Sequence, residues 1–194
     1  MSRQAVAALS VGAVAITLAW LLFIALPRRY GPPRQPAGAV AAATPPAPAP
    51  VAPGRKIKAR LYYVAEDGLR LTSVERDVAY GEGPLEQARE IVAAQIAPVA
   101  EPTVSAIPAG TTLRALFLTD RGEAFVDLSR EIVSAHPGGT VSELLTVYTI
   151  VNALTTNLPA VTAVQVLVDG KQVETLVGHL DLRRPLAKNL EYIQ

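Results

Sequence analysis

Apolar and polar positions alternate where the chain leaves its N-terminal region. Ile57–Val64 shows this alternation clearly, which predicts a strand with one buried face. After the turn residues Glu66-Asp67-Gly68, the segment Leu69–Val78 predicts a second strand. A helix then begins at Gly83-Pro84, because proline is favoured at the first helical position, and Pro98 ends it.

The middle of the chain predicts a hairpin and the longest helix. Leu113–Leu118 and Ala124–Leu128 form the hairpin across the turn at residues 120–123. The helix begins at Thr140-Val141-Ser142-Glu143, which matches a capping box, and ends before Pro159. Its broad apolar stripe predicts that it packs against a sheet.

A last hairpin completes the predicted fold. Val164–Val168 and Gln172–Gly178 flank Asp169-Gly170, the pair that favours a two-residue hairpin turn. Together these elements predict an α+β domain at residues 57–188, with two helices packed on one face of a largely antiparallel sheet. Residues 189–194 are predicted to be a C-terminal tail.

The N-terminal segment is apolar throughout. Ala5–Leu26 contains 22 residues without a charge, enough for a helix of about 33 Å, and Arg3 and Arg28 flank it. A cleavable signal peptide is the alternative, but its apolar stretch is normally only about 7–15 residues long. We therefore predict a transmembrane anchor at residues 1–26.

A proline-rich linker follows the predicted anchor. Residues 27–56 contain nine prolines and eight alanines. Proline fixes φ and lacks an amide donor, so this segment favours extended polyproline II and serves as a spacer. A ligand for SH3-like domains is the alternative function of such a segment.

Charge separates the chain into two parts. Residues 1–56 carry six Lys or Arg and no acid, whereas residues 57–194 carry twelve Lys or Arg and seventeen Asp or Glu. The net charge of the domain is therefore 12 − 17 = −5, which argues against nucleic acid as its partner. The absence of cysteine excludes disulfides, thiolate metal sites, cysteine nucleophiles and a lipid-modified cysteine.

The candidate chemistry is sparse. His136 and His179 are the only histidines, and His179 with Asp181 is a candidate metal or acid–base pair, although zinc-type spacing is missing. Ser129, two residues after Asp127, would be a nucleophile only with a Gly-x-Ser-x-Gly turn and a histidine positioned beside it, and the sequence shows neither. We therefore interpret Asp127 and Ser129 as strand-end caps. We predict no catalytic residue, cofactor or metal.

Two other features suggest binding but favour structural roles. Gly81-Glu82-Gly83-Pro84 resembles an anion-binding loop, yet proline removes one amide, and we interpret the loop as a helix entry. Aromatic residues of the domain are candidates for stacking on a sugar, and most of them fall inside predicted strands or helices. These residues are Tyr62, Tyr63, Tyr80, Tyr148, Phe117 and Phe125.

Four segments resemble motifs of the GerMN domain family. These segments are residues 105–113 (SAIPAGTTL), 125–129 (FVDLS), 149–155 (TIVNALT) and 164–182, and they occur in the family's order. The resemblance spans about residues 57–188 as a single copy. It departs from the family at Ala97-Pro98, where GerMN domains often have Gly-Pro.

The resemblance implies a module of the bacterial cell envelope that is not known as an enzyme. It implies docking to an envelope protein complex, a link to sporulation or germination, and a fold similar to ring-building modules. Its recurring polar residues are interpreted as caps, helix hydrogen bonds and turn formers rather than as a binding surface. These residues are Asp127, Ser129, Asn152, Asp169 and Asp181.

Three functions follow as hypotheses. The first is a non-catalytic interaction module, anchored in the cell membrane by the N-terminal helix, with its domain outside the cytoplasm. The second is a factor that binds peptidoglycan or remodels the cell wall, and the third is an enzyme that uses His136 and His179. Self-association is a further hypothesis. The linker and the resemblance favour the outside location, whereas Arg28, Arg29 and Arg34 favour a cytoplasmic domain.

Overall fold

Seven strands and three helices make up residues 54–194, the part of the chain that the computed structural model describes. The first four predicted strands, the first helix and the long helix are all present. The elements are β1 (Lys56–Val64), β2 (Leu71–Ala79), α1 (Pro84–Ile96), β3 (Leu113–Leu118), β4 (Glu123–Leu128), α2 (Glu131–Ser134), α3 (Thr140–Asn157), β5 (Ala163–Val168), β6 (Lys171–Gln172) and β7 (Leu186–Ala187).

The predicted anchor and most of the linker lie outside the described residues. Both remain predictions, and only residues 54–56 of the linker are described, with Lys56 already in β1. Within residues 54–194, no helix has the length and apolar character needed to cross a bilayer.

The strands form two sheets rather than the one that was predicted. β1 and β2 form an antiparallel hairpin, while β3, β4, β5 and β6 follow one another in a mixed sheet whose β5 also pairs with β7. β4 and β5 are parallel, because α3 carries the chain back across the sheet before β5 begins. The α+β class is therefore confirmed, and the single, largely antiparallel sheet is corrected.

The two long helices contact each other and both sheets. α1 packs against β1, β2 and β3, and α3 packs against β1 and β5. The core contains Tyr62 and Tyr63 and many aliphatic side chains, the largest of which have less than 2% of their surface exposed. These largest aliphatic side chains are Leu61, Leu71, Ile91, Leu116, Leu128, Ile132, Ile150, Leu154 and Leu182.

Side-chain amides occupy the edge of β1 that faces the helices. Gln95 of α1 accepts from the backbone N–H of Tyr62 at 2.9 Å and donates to its carbonyl oxygen at 2.7 Å. Asn157 of α3 binds the backbone N–H and carbonyl of Arg60 in the same manner, at 2.8 and 2.7 Å. These two amides replace a third strand, so the edge of β1 has no unpaired groups at these residues.

The C-terminal residues, predicted to be a tail, contact the domain. Asn152 of α3 exchanges two hydrogen bonds with the backbone of Asn189, at 2.7 and 3.0 Å. Leu71 donates to the carbonyl of Tyr192, and Gln194 donates to the carbonyl of Leu71. The last residues therefore extend the β1–β2 hairpin by a short stretch of backbone pairing.

Two predictions about local structure were wrong for one shared reason. The strand predicted at Gln172–Gly178 pairs only at Lys171–Gln172, and Gly139 caps α3 without any side-chain hydrogen bond. Glu143, which was assigned to the capping box, instead reaches the backbone amides of residues 176–179. That contact ties the segment to α3 rather than to β5, and the carboxylate of Glu143 does not cap the N-terminus of its own helix.

Candidate functional site

A groove of about 1190 Å³ opens on the surface of the described residues. It opens where four segments of the chain meet. These are the end of the β1–β2 hairpin (residues 64–69), the segment after α1 (96–101), the following loop (103–110) and the start of α3 (137–145). The Ala97-Pro98 departure from the family pattern lies in one of these walls.

The groove displays aliphatic side chains to solvent. Leu69, Val104 and Val141 are 60%, 56% and 42% exposed, and all three line it. Glu101 is the single charged side chain among the described lining residues, and none of those residues is aromatic. Exposed aliphatic side chains gathered in one groove favour an interaction site.

His136 connects three walls of the groove. Its Nδ1 accepts a hydrogen bond from the Gly138 N–H at 2.9 Å, and its Nε2 lies 3.1 Å from the Thr146 hydroxyl. That hydroxyl is also 2.6 Å from the carbonyl oxygen of Ala106 and 2.9 Å from that of Ser142. Because Nδ1 accepts, the ring is the neutral tautomer with its proton on Nε2.

Burial favours this neutral form. Partial burial lowers the pKa of His136 below its ordinary value of 6.5, while the negative charge of Glu143 and a hydrogen bond with the backbone of Ser142 oppose the shift. His136 therefore serves as a hydrogen-bonding residue of the groove wall, the role expected by default.

Glu143 is a completely buried carboxylate. Its Oε1 accepts from the N–H groups of Leu176 and Val177 at 2.8 and 3.1 Å, and its Oε2 accepts from the N–H of His179 at 2.8 Å. The His179 Nδ1 lies 3.1 Å from the same oxygen. Burial alone would raise the pKa of Glu143, but backbone amides at residues 176, 177, 179 and 180 outweigh it and hold that pKa below 4.5.

The structure does not join His179 to its predicted partner. His179 contacts Glu143, whereas Asp181 forms an exposed ion pair with Arg183 at 2.8 Å. Hydrogen bonds from Arg183 hold the pKa of Asp181 well below its usual range. Across residues 54–194, no three His, Asp or Glu side chains lie close enough together to hold a metal ion.

The family's strand-end aspartates meet at the carboxyl ends of the parallel strands β4 and β5. Arg114 lies between Asp127 and Asp169, at 3.3 and 3.2 Å. Asp127 also accepts from the Gly170 N–H at 2.7 Å, which fixes the turn where Asp169 has a φ of +50°. Both aspartates thus have the structural roles that were expected.

Ser129 joins two of the family motifs. It exchanges hydrogen bonds with Thr112 of the SAIPAGTTL segment, its Oγ accepting from the Thr112 N–H at 2.9 Å. A hydrogen bond from the Ser129 hydroxyl is the main cause that lowers the pKa of Glu131. The Ser129 hydroxyl thus both accepts and donates a hydrogen bond, and no histidine is among these partners. The geometry therefore favours a strand-end cap over a nucleophile.

The remaining candidates are placed as follows. The Gly81 N–H, in the suspected anion-binding loop, donates instead to the Gln87 side chain at 3.1 Å. Tyr62 and Tyr63 are buried as core residues, whereas Phe117 and Tyr80 are 57% and 39% exposed and lie outside the groove.

Sequence reasoning missed the groove and the contacts of Glu143. The groove gathers residues 64–69, 96–110 and 137–145, and no local pattern marks these stretches as neighbours. The uncharged run from residue 102 to 113, rich in small residues, was the one available signal.

Comparisons with known proteins identify the family. The Germane family model, described as sporulation and spore germination, matches residues 60–174. No curated protein matches the chain.

Three solved structures are similar. The tandem GerMN domains of the sporulation protein GerM from Bacillus subtilis have a TM-score of 0.51 at 16% identity, over 70% of this chain and 46% of theirs. The first GerMN domain of the same protein has a TM-score of 0.48 at 16% identity, over 69% and 96%. A candidate lipoprotein from Clostridium perfringens has a TM-score of 0.49 at 22% identity, over 69% and 88%.

At 16% identity, the tandem structure indicates a shared fold and nothing more. The family model, however, covers more than half of the chain, and it includes the segments whose sequence resembles GerMN motifs at residues 105–155. The chain therefore belongs to the Germane family and carries a GerMN-like domain related to sporulation and germination.

Proposed function

We propose that this protein is a non-catalytic interaction module of the bacterial cell envelope. In this proposal residues 1–26 anchor it in the cell membrane, the proline-rich linker holds the domain outside the cytoplasm, and the groove binds an apolar segment of a partner protein. The exposed aliphatic lining of the groove, at Leu69, Val104 and Val141, is the observation that carries the proposal.

The chemistry of the lining favours a protein segment as the occupant. Fully burying one aliphatic side chain stabilises by about 1.5–3 kcal/mol, and these three are roughly half exposed before binding. Covering all three would therefore contribute a few kcal/mol, a useful share of the binding energy of a peptide-sized interface. Apolar side chains of a partner match such a lining better than a hydrated glycan does.

A substitution in the groove tests this part of the proposal. Val141→Glu places a charge on the lining, and Leu190→Glu is the matched control because Leu190 is 54% exposed and outside the groove. The measurement is the recovery of complexes with the full-length protein from cross-linked membranes. We expect Val141→Glu to lose a complex that the parent and Leu190→Glu both retain; equal recovery by the two variants would contradict the proposal.

Peptidoglycan binding is the second candidate, and purified sacculi test it. If the parent protein sediments with sacculi and Val141→Glu does not, the groove binds cell wall and the protein-partner proposal fails. If neither protein sediments, the cell-wall candidate is removed.

The outside location is tested separately. A reporter enzyme that is active only outside the cytoplasm, fused after Gln194, is expected to be active. Activity of a cytoplasm-specific reporter at the same position would contradict the envelope location, whatever the groove binds.

A further inference from the structure

We propose that His136 makes the groove pH-dependent. The neutral imidazole holds Gly138, in the wall formed by Pro137–Gly139, next to α3, and protonation of the ring releases this residue. This inference rests on the proposed function, since it concerns the regulation of the same groove.

The wall depends on one hydrogen bond more than on packing. Gly138 and Gly139 have φ values of +84° and +89°, and no atom beyond the adjacent residues of the chain lies within 4 Å of the position where a Cβ would stand on either glycine. Glycine itself has no strong preference for this conformation. The Gly138 N–H donates to Nδ1 of His136 at 2.9 Å, and Gly139 is held next to it by its carbonyl, which accepts from the N–H of Glu143.

Protonation removes this hydrogen bond directly. A protonated imidazole carries hydrogen on both nitrogens, so Nδ1 becomes a donor that faces the Gly138 N–H donor. Nε2 donates to Thr146 in either state, so the ring stays bound to α3 while its hydrogen bond with Gly138 is lost. The change is therefore confined to the wall of the groove.

The surroundings of His136 contain few charges. On α3, Glu143 is the charged group that acts on the ring, and its negative charge favours protonation. α2 brings Glu131, which is exposed and hydrogen-bonded to Ser129. Residues 105–107 and 137–139, which make up the other walls, carry no titratable side chain. Partial burial opposes protonation and places the pKa of His136 below 6.5.

The composition of the chain makes the test specific. It contains two histidines and no cysteine, so a cysteine introduced at Val141 can be labelled uniquely in the full-length protein. Ordinary carboxylates titrate below pH 5 and the terminal amine titrates near pH 8, so a transition between pH 7 and 5 belongs to a histidine. A fluorophore that senses polarity but not pH is attached to Val141→Cys, and its emission is followed from pH 7.5 to 5.

We expect one transition with a midpoint below pH 6.5 in the labelled parent. His136→Asn is expected to abolish it, because the Asn oxygen can accept from Gly138 at every pH, and His179→Asn is expected to retain it. A parent without a transition, or a transition that persists in His136→Asn, would overturn the proposal. Loss of the transition in His179→Asn would also overturn the proposal.

Hydrogen exchange on the unlabelled full-length protein gives a second reading. After correction for intrinsic rates, protection of the Gly138 amide is expected to fall about tenfold between pH 7.5 and 5.5, equivalent to one hydrogen bond. Unchanged protection would overturn the proposal even if His136→Asn failed to fold. Both measurements are made without a partner, so their failure is distinct from failure of the proposed binding.

Discussion

Replacing the buried carboxylate of Glu143 by an amide is expected to destabilise the domain substantially. In Glu143→Gln one oxygen can still accept from Leu176 and Val177, whose amides lie at 2.8 and 3.1 Å. The new NH₂ group then faces the N–H of His179, which lay 2.8 Å from the lost oxygen. A buried donor is thus left unpaired, and the remaining hydrogen bonds are made to a neutral amide oxygen instead of a charged carboxylate.

The magnitude follows from these contacts. A hydrogen bond to a charged group contributes about 1.5–3 kcal/mol, and an unsatisfied buried donor costs about 1–3 kcal/mol. The His179 side chain is 40% exposed, so water can reach this end of the cluster and reduce the cost. We therefore expect a loss of about 2–4 kcal/mol in the free energy of unfolding, against the 5–15 kcal/mol typical of a whole protein.

Urea unfolding of the full-length protein, followed by far-UV circular dichroism at pH 7, measures this loss. Glu174→Gln is the matched control, because Glu174 is an exposed carboxylate on the same C-terminal segment. It is expected to change stability by about 0.5 kcal/mol or less. Equal stability of Glu143→Gln and the parent would refute the role given to this carboxylate.

The pH dependence provides an independent check. Backbone amides hold the folded pKa of Glu143 below 4.5, so its contribution is complete above pH 4.5 and is lost as the pH falls through the lowered folded value. The stability difference between the parent and Glu143→Gln should therefore shrink below pH 4.5. A difference that stays constant down to pH 3 would show that ionisation of Glu143 is not its cause.

Three further predictions test other contacts. Gly122→Ala is expected to lower the free energy of unfolding by about 1–3 kcal/mol, because its Cβ would lie 2.6 Å from the carbonyl oxygen of Ala160. Gly68→Ala is the control in open space and should lower it by about 1 kcal/mol. Equal urea midpoints for the two variants would contradict this prediction. Gln95→Ala leaves the backbone N–H and carbonyl of Tyr62 unpaired and should lower the free energy of unfolding by about 1–3 kcal/mol in the same assay. An unchanged free energy of unfolding would contradict this prediction. Because burial lowers the pKa of His136, the melting temperature of the parent should fall as the pH drops below 6.5, and that of His136→Asn should not. The same pH dependence of the melting temperature in both proteins would contradict this prediction.

Patterns that act within one element allowed the strands and helices to be predicted. Alternation over Ile57–Val64 and proline at position 84 placed β1 and the start of α1 where the structure has them. The β3–β4 hairpin was also predicted, and in the structure Gly122, with a φ of +80°, supplies the left-handed residue of its turn. Each of these signals depends on neighbouring residues alone.

Interactions across long stretches of chain account for what was missed. The sequence Thr140–Glu143 is compatible with a capping box, and nothing local indicates that Glu143 instead binds amides 33 to 36 residues away. The parallel pairing of β4 with β5 depends on the path of α3, and the clamp between Gln95 and β1 depends on tertiary packing. The groove is the same kind of feature, since no single segment forms it.

The central claim is that the groove holds a partner protein in the cell envelope. A photo-cross-linking amino acid placed at Val141 or Val104 in living cells tests it most directly, with Leu190 as the exposed control position outside the groove. We predict that both groove positions cross-link to the same envelope protein and that the control position does not. Cross-links at Leu190 alone, or none at either groove position, would contradict the account.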